Sequence, residues 1–317
     1  MWLLDKLFAH NEQPKPQFAF QGTVNWMRAL AILTDGQFTH DALRHFYAAT
    51  PRRNPNEAAD VQAFEFLTMS MHNVSAIRTM DYIDDPYPIV RAAIISWYYA
   101  VYYGAKAMIA ASSGSDPQTH ALAAKIWHAE IVRNQLARAP FDLDLTDLRP
   151  QIVEQNLGIL RNGNRHDLNA QPIDRAMALG AALSYLKGTA EYEQRRLEEA
   201  VRSSRDYRQA GFANFRSNAA RALRDAKLQP ASVNFLVQAF RYRGKANYRD
   251  AIYLSYGRDE SVRLRQFVSD LAKVGEAFSL MSAHFVERRV VRNDWRLFVE
   301  DLDRYARFDL PFDLSDV

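Results

Sequence analysis

The twelve prolines of this chain fall mostly where a helix would begin or a loop would run, and glycine is equally scarce at twelve among 317 residues. Proline inside a helix removes a backbone hydrogen bond and clashes with the preceding turn, and an interior glycine costs helix stability. A chain that keeps both out of its apolar-periodic segments is suited to helices. The expected fold class is therefore all-α, a multi-helix protein.

The periodicity divides the chain. Asn54-Pro55-Asn56-Glu57 reads as a helix start, with Asn54 as cap, Pro55 in the first helical position and Glu57 closing a capping box. The helix that follows, to about residue 80, is expected to bury Val61, Phe64, Leu67, Met71 and Val74. Asp84-Asp85-Pro86-Tyr87-Pro88 then breaks the pattern. From Ile89 to Ser112 the apolar positions Ile94, Tyr98, Val101, Ala105 and Met108 recur at helical intervals. Asp116 and Pro117 are expected to start the next helix, which runs to about Arg138 with Leu122, Ile126, Ala129 and Val132 inside. A loop over 139–147 follows, then a helix over 150–161 that stops at Asn162-Gly163-Asn164. Pro172 opens another, with Gly188 as its C-terminal cap. Further helices are expected over 190–208, 214–227, 231–242, 247–256, 259–288 and 294–307, and Phe285 to Val291 is the one stretch that passes for a strand. This gives an N-terminal helical region (1–85), a central helical bundle (86–200) and a basic C-terminal region with an acidic tail (201–317). Pro-Phe-Asp-Leu occurs twice, but no period of repeat length is visible.

Charge narrows the partners. The net charge is +3, yet Arg195 to Arg249 holds thirteen Lys and Arg against four acids, and the last eighteen residues are acidic. A basic segment of this kind attracts phosphates. The chain has no cysteine, which excludes disulfides, thiolate metal ligands and a Cys nucleophile and makes a reducing cytoplasm the expected setting. The N-terminus lacks the apolar core and cleavage site of a signal peptide. No run of about 18 uncharged apolar residues is present, so no membrane span is expected.

Ser96-Trp97-Tyr98-Tyr99-Ala100-Val101-Tyr102-Tyr103-Gly104-Ala105-Lys106-Ala107-Met108 resembles the first long helix of the HEPN superfamily, and Thr119-His120 looks like the start of that family's second helix. The resemblance covers roughly residues 88–200. It implies a compact helical bundle, a homodimer and, in many members, a metal-independent endoribonuclease. The family signature is an Arg, then a polar residue, then a His after four to six intervening positions. Arg161, Asn162 and His166 fit it, although here an Asn-Gly turn splits the motif. In such a site the His would move the proton of an RNA 2′-hydroxyl and the Arg would stabilise the charged phosphorane. No metal or cofactor is implied.

Plainer readings stand beside these. The cluster Tyr98, Tyr99, Tyr102 and Tyr103 suits core or dimer-interface packing, His120 suits a structural role, and His166 suits a solvated loop beside Arg165. The stretch from Phe240 to Arg249, with Phe240, Arg241, Tyr242, Arg243, Lys245, Tyr248 and Arg249, interleaves aromatic and basic residues, as nucleic-acid surfaces do, and Arg165 is a further candidate contact to nucleic acid. The stretch equally suits a helix corner whose arginines meet carboxylates. Asp81, Asp84 and Asp85 lack the spacing of a cation loop, and His128 forms no metal pair with His120. P-loop, dinucleotide-binding, nucleophile-elbow and zinc-protease motifs are absent. Two functions follow: a HEPN-like RNA-cleaving or RNA-binding protein, of the toxin or defence-effector kind, or a non-enzymatic helical adaptor that dimerises and holds nucleic acid or an acidic protein.

Overall fold

In the computed structural model, residues 2–8, 16–247, 252, 254–256 and 258–317 are described. The fold is all-α, with 68% of the chain helical. In chain order the elements are α1 (Trp2–Phe8), α2 (Pro16–Thr34), α3 (His40–Phe46), α4 (Glu57–Asp81), α5 (Val90–Ser113), α6 (His120–Trp127), a π-helical turn (His128–Val132), β1 (Leu145–Thr146), α7 (Pro150–Arg161), α8 (Arg175–Arg202), α9 (Arg205–Gln209), α10 (Asn218–Leu228), β2 (Ser232–Val233), α11 (Phe235–Asn247), α12 (Ser261–Arg289) and α13 (Arg292–Tyr305). The two short strands pair antiparallel, Leu145 with Val233 and Thr146 with Ser232.

α4, α5 and α12 form the centre. The Ser70 hydroxyl of α4 donates to the Ala100 carbonyl of α5 at 2.7 Å and accepts from the Ser279 hydroxyl of α12 at 2.6 Å. α5 and α12 cross at Gly104, where a Cβ would lie 2.9 Å from Ser282 Oγ and 3.1 Å from the Phe278 ring. Small residues at the crossings let the backbones approach. Beside them, α2, α8 and α11 close an aromatic core in which Trp26 stacks on Tyr185 at 4.1 Å and meets Tyr242 at 4.7 Å. Each fully buried side chain of this size contributes about 1.5–3 kcal/mol of burial. One apolar cluster joins residues from Phe20 to Leu314, so the expected boundaries at 85/86 and 200/201 do not separate cores.

Several local expectations are corrected. Asn56, not Asn54, caps α4, accepting from the Ala59 N–H at 3.2 Å, and Val61 faces solvent. Thr119 rather than Asp116 caps α6. Asp116 is instead drawn to the ammonium of Lys106 at 2.7 Å; Lys106 is only 8% exposed and needs a counter-charge there. α6 gives way to the π-turn well before Arg138, and Leu122 is exposed. α8 starts under Asp174, whose carboxylate accepts from the Met177 N–H, and runs straight through Gly188. The continuation buries Thr189 and Ala190, which offsets the glycine. Residues 232–233 are strand, and Phe285 to Arg289 are helix. The helix expected over 247–256 falls largely outside the described residues. No helix among the described residues is long and apolar enough to cross a membrane.

Candidate functional site

The Arg161–His166 segment is a tight loop fastened to α8. α7 ends because Asn162 and Gly163 take left-handed conformations, with φ of 44° and 83°. The chain then doubles back, so that Arg161 Nη1 donates to the carbonyls of Asn164 at 3.2 Å and His166 at 3.0 Å, while Nη2 donates to Ser184 Oγ at 2.7 Å. Asn164 completes the fastening: its Nδ2 donates to the Ala176 carbonyl and its Oδ1 accepts from the His166 N–H. The seat is Gly180, where a Cβ would stand 2.6 Å from Asn164 Oδ1 and 2.8 Å from both His166 Cβ and its carbonyl oxygen. Arg161 and His166 are thus brought together, but three guanidinium contacts go to loop and helix oxygens. The imidazole Nε2 of His166 is buried without a partner. Asn162 and Arg165 are exposed.

A second constellation lies where α5, α6 and α11 meet. The Tyr98 hydroxyl is 2.6 Å from His120 Nδ1. Among the described residues the phenol has no other hydrogen-bond partner, so donation to Nδ1 leaves the imidazole proton on Nε2. Burial, with the cations of Arg243 and Lys106, holds His120 below its ordinary pKa. Burial also raises the Tyr98 phenol, against the opposing pull of Arg243. Both shifts keep the pair neutral near pH 7. Arg243 lies 5.0 Å from the centres of the Tyr98 and Phe240 rings, with Nη1 3.4 Å from the Tyr99 hydroxyl. The His120 ring packs 4.6 Å from Tyr102 and 5.1 Å from Phe240. Phe240 is 43% exposed, and Tyr99, Tyr102 and Tyr103 are half-buried. The result is an open aromatic face with a stacked guanidinium and a histidine at its centre.

The remaining candidates separate. Tyr242 is fully buried, its hydroxyl donating to the Thr23 carbonyl at 2.7 Å, so it cannot stack on a base; this corrects its assignment to a nucleic-acid surface. Arg241 turns towards α8, where Nη1 donates to Thr189 Oγ1 at 3.0 Å and the guanidinium lies over Tyr192 at 5.1 Å. Tyr248, Arg249 and the side chain of Lys245 lie outside the described residues. His128 pairs with Asp144 at 2.8 Å. Among the described residues no three His, Asp or Glu side chains are grouped to hold a metal ion.

Phe240 belongs to the interleaved stretch read from the sequence, and its i, i+3 spacing to Arg243 puts the two on one helix face; His120 was absent from the sequence-derived site, and nothing in the sequence joined that face to it. No protein-family model, curated protein or solved structure matches the chain.

Proposed function

We propose that this protein binds single-stranded RNA on the aromatic and cationic face shared by α5, α6 and α11. The observation that carries the reading is Arg243 held against the Tyr98 and Phe240 rings, with Phe240 43% exposed and the His120 ring packed beside it. Guanidinium planes and aromatic rings bind unpaired bases by stacking, at about 1–3 kcal/mol per base, and the charge meets the phosphate. RNA as the nucleic acid, a homodimer and a role as toxin or defence effector in the cytoplasm rest on the HEPN resemblance. Fluorescence anisotropy with a labelled single-stranded RNA tests the binding. Phe240→Ala and Arg243→Ala are each expected to weaken it by roughly tenfold or more, consistent with the loss of one stacking or cationic contact. Equal affinity in both variants would refute the site.

RNA cleavage is the second reading, favoured by the unpartnered Nε2 of His166 beside Arg161. Here His166 would accept the 2′-hydroxyl proton, and Arg161 would have to exchange its carbonyl partners for the phosphate, which requires the 162–166 loop to open. Cleavage in EDTA leaving a 2′,3′-cyclic phosphate, lost at least ~10²-fold in His166→Ala, supports it. Intact RNA leaves binding alone. The adaptor reading gains if an acidic protein, and no RNA, occupies the same face.

A further inference from the structure

α8 buries one face from Ala178 to Ala190, and past that point Gln194 and Leu197 still touch the body of the protein, Gln194 donating to the Leu148 carbonyl at 2.7 Å. Beyond it, Val201, Tyr207 and Ala220, with half-buried Phe212, Phe215 and Leu223, form a small apolar cluster separate from the main core. Residues 201–228, comprising the end of α8, α9 and α10, are therefore an arm fastened at both ends, by Leu197 of α8 and by Leu228 of α10, which is fully buried in the cluster around β1, α7 and α8 and accepts from the Leu148 N–H at 3.0 Å. Gly211, at φ 66°, turns the chain between α9 and α10.

The arginines of this arm divide into two groups. Arg202 and Arg224 are paired within the arm: both reach Glu198, at 3.5 and 4.0 Å, Arg224 also meets Asp225 at 2.9 Å, and both guanidinium groups lie over the Phe215 ring. Arg205, Arg208, Arg216 and Arg221 are exposed and, among the described residues, bridge to no carboxylate; Arg221 donates to Asn218 Oδ1. Exposed acidic charge on the arm is limited to Asp206. Four like charges on an element with so small a core repel one another, and none is used to hold the arm together. No aromatic ring on the arm is fully open, so it offers charge without stacking.

The arm is also linked to α11. Arg241, next to Tyr242 on α11, lies over Tyr192 of α8, which is 45% exposed. Arg195 is exposed one turn further on. From Tyr192 to Arg202 the helix rises about 15 Å. Arg241 and Arg195 thus lie along α8 between α11 and the arm, while Arg243 faces α5 on the other side of α11.

We infer that the α9–α10 arm is a second RNA contact that grips phosphates without reading bases and holds the strand where it leaves the aromatic face. This rests on the RNA-binding reading above. Spaced, unpaired guanidinium groups fit the repeating charge of a polynucleotide backbone. An acidic protein segment is the competing occupant.

The test measures binding of two labelled oligouridines, one of about 5 and one of about 20 nucleotides, against salt concentration. Wild type is compared with the quadruple variants Arg205→Ala/Arg208→Ala/Arg216→Ala/Arg221→Ala and the same four positions changed to Lys. Circular dichroism confirms that each is folded. The alanine variant is expected to bind the short RNA as wild type does and to lose about 2–3 from the log–log salt slope with the long RNA, near 0.7 per phosphate contact. The lysine variant is expected to keep the slope. An unchanged slope in the alanine variant overturns the arm contact and leaves the aromatic site standing. Wild type that binds long RNA through the arm but ignores short RNA removes the aromatic site and keeps the arm. Binding of neither RNA, or displacement of long RNA by polyglutamate at equal charge concentration, overturns the inference.

Discussion

Changing Gly180 to Ala inserts a methyl group into the seat of the Arg161–His166 loop. Two effects oppose each other. Alanine in a helix interior is worth up to about 1 kcal/mol over glycine. Against this, the new Cβ would stand 2.8 Å from the His166 carbonyl oxygen and 2.6 Å from Asn164 Oδ1. Asn164 Oδ1 belongs to a side chain already fixed by two hydrogen bonds, and the carbonyl is backbone. Neither can swing aside, so overpacking costs about 1–3 kcal/mol. Displacing the loop also weakens the charge-assisted bonds from Arg161 to Asn164 and His166, at about 1.5–3 kcal/mol each when fully lost. The net expectation is a destabilisation of about 2–4 kcal/mol, summed from these terms. Two matched controls isolate the clash. Gly158 has open space at its Cβ position, and at Gly188 the nearest atom is Arg241 Nη1 at an ordinary 3.8 Å. Alanine at either should stabilise by up to about 1 kcal/mol. Urea unfolding at pH 7 gives the three values on one scale. A Gly180→Ala protein as stable as the Gly188→Ala protein would refute the close seating of the loop.

Other outcomes follow from single side chains. His284 is buried, and burial together with the charges of His40 and Arg44 pushes its pKa down to about 3. The unfolded chain takes up that proton near pH 6.5, so stability is full above that value and falls as the pH drops towards 3, by up to a few kcal/mol, of order ~4; His284→Leu should flatten thermal midpoint against pH between 6.5 and 4. In Arg243→Ala, an NMR titration should find the His120 pKa closer to its ordinary value, because burial remains but one of the two cations holding it down is gone. Tyr242→Phe should cost about 1 kcal/mol, the net value of its bond to Thr23, and leave RNA affinity unchanged; a loss of affinity would mean that Tyr242 is not confined to the core.

The segment Phe240-Arg241-Tyr242-Arg243 illustrates what a string of residues conveys about a site. Interleaved aromatic and basic residues make one surface only if alternate side chains share a face, as in a strand. On α11 each residue turns about 100° from the last. Arg241 therefore points to α8, Tyr242 into the core and Arg243 to α5, with Phe240 on the outer ridge. The long helices were legible because Ile94, Tyr98, Val101, Ala105 and Met108 keep one phase for four turns and are all buried. α12 and α13 were legible for the same reason. Boundaries were less so, since Asn54 and Asn56 are equally good caps in isolation, and packing chose between them. Nothing local revealed that Asp116 would be needed by Lys106, or that Arg161 would give its donors to carbonyls three and five residues downstream; both depend on contacts made after the chain has folded.

The central claim concerns where RNA touches the protein, and photo-crosslinking addresses it most directly. Single-stranded RNA carrying 4-thiouridine, irradiated with the full-length protein and mapped by mass spectrometry, should attach to peptides holding Tyr99, Tyr102, His120 and Phe240. Phe240→Ala should lower the yield at those peptides, while Gly158→Ala should leave it as in wild type. Crosslinks confined to the Arg161–His166 loop, or none above the level of an RNA lacking the thio group, would contradict the account.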